Sequence, residues 1–212
     1  MNIVFAHNVY KRHKQMIKTI NNNRQFIDDD KTVVVSNGNY LSFINYLKID
    51  NIQFRQLLRN KGHKIGALEG MIKAMKLAIK LESDVIIFSH DDVYINNFKK
   101  LKKYLNLLEE KSIVIKHPIW LEKSYIMFDV FLIKTKVARS IFSKSLNVNK
   151  SLISVDYRNS PCPEKYFGDL ILNELAQNLN LKGAFLYNNG NKRGENHWDS
   201  NDFPYIATAI VK

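Results

Sequence analysis

The feature that most constrains the fold is the run DVIIFSH at residues 84–90, whose central positions are all large and apolar. A strand without a polar face has to be covered on both sides, as in a sheet that lies between two helical layers. MNIVFAHN at 1–8 and KTVVVSNGN at 31–39 have similar composition and predict two more strands. Because longer helical patterns separate these runs, the sequence predicts an α/β fold with a mostly parallel sheet flanked by helices.

The segments between and beyond these strands supply the rest of the predicted elements. In residues 66–81, Leu68, Met71, Ile72 and Met75 form an apolar stripe at helical spacing. We predict helices at 9–24, 66–81, 97–110, 137–143 and 163–179, and further strands in 112–120 and 125–135. Residues 147–160 are predicted to be a linker. The Asn- and Gly-rich residues 188–202 are predicted to be a mobile loop that acts as a lid, before the final IATAIV.

The size and cysteine content restrict the domain organisation. A chain of 212 residues with 45% hydrophobic content can bury one full core, so we expect a single domain over residues 1–212. Cys162 is the only cysteine, which excludes a disulfide within the chain and favours a reducing compartment. The first apolar run is too short for a signal peptide or a membrane span. We therefore expect a soluble, cytoplasmic protein.

The charge balance is strongly basic, with 32 Lys and Arg against 20 Asp and Glu and a net charge of +12. Such a surplus attracts nucleic acid, anionic lipid headgroups or phosphorylated substrates. It also fits an ordinary solvated face of lysines, such as Lys99, Lys102 and Lys103. No RNA-binding or zinc-finger pattern is present, so we expect no nucleic-acid partner. Two specific alternatives to a solvated face remain. One is peripheral contact with the inner face of an anionic membrane, and the other is binding to a phosphorylated glycan.

The segment HDDVYIN contains ionisable residues at the end of the apolar strand. His90, Asp91 and Asp92 follow the strand directly, and ligands of open α/β sheets bind at the carboxyl ends of strands. Adjacent carboxylates repel each other unless a cation neutralises them. Mg²⁺ or Mn²⁺ suits such oxygen ligands together with substrate phosphates. The alternative is a purely structural one, in which the aspartates cap the next helix or form an Asx turn.

The run HDDVYIN resembles the DxD region of GT-A glycosyltransferases, particularly the DDDVFVN form of the family 31 β-1,3-transferases. The resemblance implies a GT-A (Rossmann-like) fold, a nucleotide-sugar donor, and a divalent metal that holds the donor diphosphate. It implies that Asp92 is the direct metal ligand and that Asp91 contributes to the metal and the donor. His90 stands where the family has an aspartate, and a histidine can bind Mn²⁺ or the donor.

The segment PCPEKYFGDLILNELAQNLNLKG resembles the acidic motif that supplies the catalytic base in families 2 and 31. The spacing suits Asp169, with Glu164 as the competitor because PEKYFG resembles PEDVYVG. Either carboxylate could accept the proton of an acceptor hydroxyl. The alternative is that these acidic residues only complement the dipole of a helix start.

The resemblance also implies donor contacts elsewhere in the chain. In GT-A enzymes a histidine of a late loop commonly binds the metal or diphosphate, which here matches His197, with Lys192 and Arg193 near enough in sequence to hold phosphate oxygens. The ends of the first two strands and the start of the 66–81 helix bracket the donor in this fold. The corresponding residues here are His7, Asn8, Ser36, Asn37, Lys64 and Gly66.

The sequence thus predicts a glycosyltransferase that moves a sugar from a nucleotide-sugar donor to a glycan acceptor, phosphorylated or lipid-linked, with inversion. A nucleotidyltransferase is the second candidate, although that class has a Gly-rich loop after the first strand and AHNVYKRHK contains no glycine. A basic nucleic-acid-binding protein is the third candidate.

Overall fold

The computed structural model describes residues 1–25, 27, 31–37, 44, 46–58, 63–91, 93–95, 98–118, 130–144, 163–177, 183–188 and 207–209. The strands are β1 (Ile3–Val9), β2 (Lys31–Asn37), β3 (Ile52–Leu57), β4 (Val85–His90), β5 (Val93–Ile95), β6 (Ile113–Pro118), β7 (Val130–Lys134), β8 (Gly183–Asn188) and β9 (Ala207–Ala209). The helices are α1 (His13–Arg24), α2 (His63–Ala78), α3 (Phe98–Glu110), α4 (Thr135–Phe142) and α5 (Pro163–Gln177), and a 3-10 turn, Ile79–Leu81, follows α2.

Seven of the strands form one mixed sheet, in the order β3-β2-β1-β4-β7-β6-β8. Strands β3, β2, β1 and β4 are parallel to one another, and β6 is parallel to β8. Strand β7 runs antiparallel to both of its neighbours, β4 and β6. The short strands β5 and β9 form a separate antiparallel pair. The predicted α/β class, with a mostly parallel sheet flanked by helices, is confirmed.

Strands β3, β5, β8 and β9 were not predicted from the sequence. Strand β3 lies at an edge of the sheet, and its residues alternate between half-buried and exposed positions at the start of the strand. An edge strand needs less apolar surface than a central one, so its sequence, IQFRQL, contains polar residues that weaken the strand signal. Strand β1 also continues to Val9, so α1 begins at His13, four residues later than predicted.

Successive residues of the central strands face opposite sides of the sheet and so build two cores. On one side, Val4, Ala6, Ile86 and Phe88 pack in a cluster with α2, α4 and α5. On the other side, Ile3, Phe5, Val85 and Ile87 pack against Leu101, Tyr104 and Leu108 of α3. Val9 and Val34 pack on this same side against Met16 and Ile20 of α1. The sheet is therefore covered on both faces, as the apolar character of DVIIFSH predicted.

No helix within the described residues combines the length and the apolar character that crossing a bilayer requires.

Candidate active site

The carboxyl ends of β1, β2 and β4 lie side by side at one edge of the sheet. In the strand register Asn8 is opposite His90 of β4, and Val9 is opposite Ser36 of β2. The predicted residues of all three strand ends therefore meet, although they are separated by about 30 residues or more in the chain. Pleating directs Asn8, Asn37 and His90 toward the α2 side and His7 and Ser36 toward the α1 side, and Asp91 follows β4 directly.

Asn8 and Asn37 connect the strand ends to the start of α2. The amide Nδ2 of Asn37 donates to Asn8 Oδ1 at 3.0 Å and to the Gly66 carbonyl at 2.7 Å. Asn8 Nδ2 donates to the Ala67 carbonyl at 3.2 Å. Both asparagines are buried, with 4% and 3% of their surface exposed. In the described structure they form the floor of the strand-end region rather than its open surface.

The network also depends on Gly70 of α2. A Cβ atom at this position would lie 2.0 Å from Asn8 Oδ1 and 2.4 Å from Asn8 Cγ. Two non-bonded atoms cannot lie this close together, so any larger residue at 70 would displace the Asn8 side chain. The glycine therefore permits α2 to approach β1 closely enough for the hydrogen bond to Ala67.

His7 is fully buried on the opposite side of β1, where its ring stacks on Phe5. Its Nδ1 shares a hydrogen bond of 2.9 Å with Ser89 Oγ of β4, and its Nε2 has no hydrogen-bond partner among the described residues. Burial lowers the pKa of His7 to about 4, while a hydrogen bond to the Ser89 backbone acts in the raising direction. The imidazole is therefore neutral at physiological pH.

Asp91 is held by the segment that follows β1. The backbone N–H of Tyr10 donates to Asp91 Oδ2 at 2.9 Å. This bond ties the residue after β4 to the residue after β1, and Asp91 does not cap α3, because that helix begins only at Phe98. Tyr10 was not among the predicted site residues, and its position directly after β1 was the sequence signal that could have indicated it.

His13 and Tyr46 form a second buried pair near Asp91, and neither was predicted from the sequence. His13 Nδ1 and the Tyr46 hydroxyl share a hydrogen bond of 3.0 Å. Burial lowers the pKa of His13, and the charges and hydrogen bonds of Asp91 and Tyr10 partly oppose this. Burial, and then the Asp91 charge, raise the pKa of Tyr46. The pair is therefore neutral while it lies within the electrostatic field of Asp91.

His90 connects the strand end to helix α5 through a row of aromatic rings. Its ring packs edge-on against Phe88 at 5.2 Å, Phe88 stacks on Phe131 at 5.1 Å, and Phe131 packs against Phe167 at 5.1 Å. Aromatic pairs at such separations add about 1 kcal/mol each beyond the burial of their surface. The row therefore places the first half of α5 on the same side of the sheet as His90.

The two candidate bases lie on α5 at different angular positions. Asp169 is half-buried and lies two residues after Phe167, about 200° further around the helix axis. Glu164 lies in the first turn of α5, and Lys64 lies in the first turn of α2. Their side chains, and all of Asp92, Lys192, Arg193 and His197, are outside the described residues, as are Cys162 and the predicted 147–160 linker.

The donor chemistry around Asp91 fits a hard divalent cation in part. Oδ1 of Asp91 makes no hydrogen bond to a described residue, so one carboxylate oxygen is available beside the bond that Oδ2 accepts. Within the described ranges no three His, Cys, Asp or Glu side chains converge as a metal site. A complete site would need Asp92, the neighbour of Asp91 in sequence.

Comparison with solved structures supports the architecture. A mannosyltransferase from Pyrobaculum calidifontis, solved with GDP-Man and Mn²⁺, superposes with a TM-score of 0.58 at 8% identity, over 93% of this chain and 59% of that one. The first 349 residues of S. aureus TarS give 0.54 at 14% identity, over 80% of this chain and 55% of that one. The chain has the GT-A fold.

A third solved structure with the GT-A fold is a putative nucleotide-diphospho-sugar transferase from Desulfovibrio desulfuricans, with a TM-score of 0.50 at 10% identity, over 88% of this chain and 80% of that one. The chain spans between half and two thirds of the length of the TarS and mannosyltransferase chains above. No protein-family profile and no curated protein matches the sequence. At these identities the likeness concerns the fold alone, so activity has to be argued from the site.

Proposed function

We propose that the protein is a glycosyltransferase that moves a sugar from a nucleotide-sugar donor to a glycan acceptor. The observation that supports this most is the position of Asp91, which the Tyr10 N–H holds at the carboxyl end of β4, next to the end of β1. In a GT-A fold this is the edge of the sheet where a ligand binds. The structural neighbour solved with GDP-Man and Mn²⁺ is consistent with a nucleotide-sugar donor at this edge.

Asp91 and Asp92 would hold Mg²⁺ or Mn²⁺, with His197 as a further ligand. When bound, the cation offsets negative charge on the leaving diphosphate. Lys192 and Arg193 would bind phosphate oxygens, and the start of α2, with Lys64 and Gly66, would favour the same anion. His90 would contact the donor from the α5 side of the strand end.

The buried strand-end residues would position the donor rather than bind it strongly. Asn8 and Asn37 fix α2 against β1 and β2, which sets the width of the region that receives the nucleoside. His7 and Ser36 lie on the other side of the sheet, and neutral His7 adds no charge near the metal site. Because all four side chains are buried, they would act on the nucleoside through the shape of this region.

Transfer would proceed by direct displacement with inversion at the anomeric carbon. A carboxylate of α5, Asp169 or alternatively Glu164, would accept the proton of the acceptor hydroxyl as that oxygen attacks. The bond to the nucleoside diphosphate breaks as the new glycosidic bond forms. The acceptor would be a phosphorylated or lipid-linked glycan, and the enzyme would work in the cytoplasm, at the inner face of the membrane when the acceptor is lipid-linked.

The test combines donor binding with one substitution at the metal motif. Melting temperatures are measured with UDP-, GDP-, CMP- and dTDP-sugars, each with and without Mn²⁺, because a ligand of the folded state raises the melting temperature. We expect one donor to stabilise the protein only when Mn²⁺ is present. Asp92→Asn should remove that response and the transfer activity while leaving the melting temperature of the free protein within a few degrees.

Asp50→Asn is the matched control, since Asp50 is an exposed aspartate on the β2–β3 connection. It should keep both the metal-dependent response and the activity. Transfer at a near wild-type rate by Asp92→Asn would contradict the metal assignment. A product with retained anomeric configuration, measured by NMR, would contradict the single-base mechanism whatever the metal does.

A further inference from the structure

The solvent side of α1 and α3 carries a set of exposed lysines, which we call the α1/α3 basic surface. Both helices pack on the same face of the sheet. Lys14, Lys18, Lys99, Lys102 and Lys103 are exposed, and none has a carboxylate partner among the described residues. The sixth member, Lys11, is exposed and places its Nζ 5.0 Å from the centre of the Tyr10 ring.

The lysines of this surface lie in or just before the first half of each helix. Helix α1 has no acidic residue, and α3 has acidic residues only at its last two positions, Glu109 and Glu110. Helix α3 ends near the start of β4, because Lys134, the register partner of Val85, donates to the Glu109 carbonyl. The lysine-rich halves of both helices therefore lie toward the carboxyl edge of the sheet, beside the candidate active site.

Helix starts attract negative charge, so lysines there oppose the helix dipole. Neither α1 nor α3 has an acidic residue in its first turn. A solvated surface selected only for solubility would mix charges of both signs. The unbalanced positive charge on this face is consistent with an anionic partner.

Apolar side chains are exposed near the start of α1. Leu47 is 71% exposed and Ile44 is 53% exposed. Both flank Tyr46, whose hydroxyl bonds to His13 at the start of α1, so they lie beside the first turn of that helix. Tyr10, 39% exposed, follows β1 at the same edge. Lysines interspersed with an exposed leucine, isoleucine and tyrosine are typical of surfaces that rest on lipid headgroups.

We propose that the α1/α3 basic surface docks on an anionic membrane, with Leu47 and Ile44 entering the headgroup region. The exposed side chains that define this surface are lysines, which act as compact point charges on flexible stems and do not bind a phosphate bidentately as an arginine does. This favours a lipid surface over a nucleic acid or a phosphate-bearing glycan. Docking in this orientation holds the candidate active site next to the bilayer. The proposal goes beyond the proposed transfer reaction and is tested without it.

The experiment measures binding of the full chain to vesicles of pure phosphatidylcholine and of phosphatidylcholine with phosphatidylglycerol, by co-sedimentation at low salt. We expect binding to the anionic vesicles only. A lysine near an anionic surface contributes about fivefold to partitioning. The triple variant Lys14→Gln, Lys18→Gln, Lys102→Gln should therefore bind on the order of a hundredfold more weakly.

The matched control removes three exposed positive charges from the other face of the sheet, by Lys80→Gln, Lys136→Gln and Arg139→Gln. Both triple variants have a net charge of +9, which is +12 minus three, so the net charge does not distinguish them. The control should bind within a few fold of wild type. Leu47→Ser should weaken the part of the binding that survives added salt.

Equal losses in the two triple variants would overturn the proposal, because they would show attraction by net charge without a specific face. No loss in the first variant would overturn it as well. Wild-type binding to an RNA or to inorganic polyphosphate but not to the anionic vesicles would assign the surface to a different class of partner. Melting temperatures of all variants confirm that they are folded, and none of these outcomes depends on donor binding or transfer.

Discussion

At the scale of single residues, the contact between Asn8 and Gly70 determines how the first strand meets helix α2. Asn8 bridges Asn37 and the Ala67 carbonyl, and only a residue without a Cβ atom fits opposite it. A glycine inside a helix normally destabilises it by about 1 kcal/mol relative to alanine. The buried hydrogen bonds of Asn8 offset this cost. Contacts between α2 and β1 therefore explain why a glycine stands at a position where helix propensity disfavours it.

Gly70→Ala should therefore destabilise the protein by about 1–3 kcal/mol, although the same change stabilises most helices. The free energy of unfolding is measured by urea denaturation for Gly70→Ala, Asn8→Ala and the double variant. Because Asn8→Ala removes the atoms that clash, the alanine at 70 should cost little in that background. Additive effects of the two substitutions would show that the close contact is not the cause.

At the scale of elements, helix α5 is positioned by Phe167 and Ile171, which are buried in the core beside α2 and α4. Asp169 lies on the far side of the helix from these two residues, at about 200° from Phe167. Glu164 lies about one turn before Phe167, in the first turn of α5. Which of the two carboxylates reaches the acceptor depends on where the acceptor binds.

If Asp169 is the base, Asp169→Asn should lower turnover by about 10²-fold or more while keeping donor affinity, because the group acts on the acceptor proton in the transition state. Glu164→Gln should then be much milder. Turnover and donor affinity are measured separately, by single-turnover transfer and by thermal shift. The opposite ranking assigns the role to Glu164, and small equal effects would remove both residues from the mechanism.

At the scale of the whole molecule, the stability should depend on pH through buried histidines. The pKa of His7 is about 4 in the folded protein against 6.5 for an ordinary histidine, so the unfolded chain binds the proton more readily between these values. The stability that this provides is complete above pH 6.5 and is lost as the pH falls toward 4. Full loss corresponds to about 3 kcal/mol, and His13, whose pKa is also lowered, acts in the same direction.

The measurement is the free energy of unfolding by urea between pH 7 and pH 4.5. His7→Phe keeps a ring to stack on Phe5 but cannot titrate, so its stability should fall less steeply with decreasing pH than that of wild type. His13 remains in that variant and accounts for a residual slope. Identical pH dependence of the two proteins would mean that His7 is not buried in its neutral form.

The sequence by itself determined the fold class, because a strand such as VIIF has to be covered on both faces and helical periodicity supplied the covering layers. It also placed His90 and Asp91 at a strand end, since a motif that directly follows a central strand can only lie at that edge of the sheet. It could not determine edge strand β3 or the reversed direction of β7, because pairing partners are set by contacts between distant residues.

The tertiary structure alone decided which side of the sheet each polar residue faces and what it contacts. Alternation along β1 separates Asn8, bonded to α2, from His7, bonded to Ser89, although they are neighbours in the chain. Tyr10, His13 and Tyr46 surround Asp91 only because strand order brings β4 beside β1 and carries the β2–β3 connection past the start of α1. Hydrogen bonds and electrostatic interactions depend on the distances between groups in space, and the order of residues along the chain does not specify these distances.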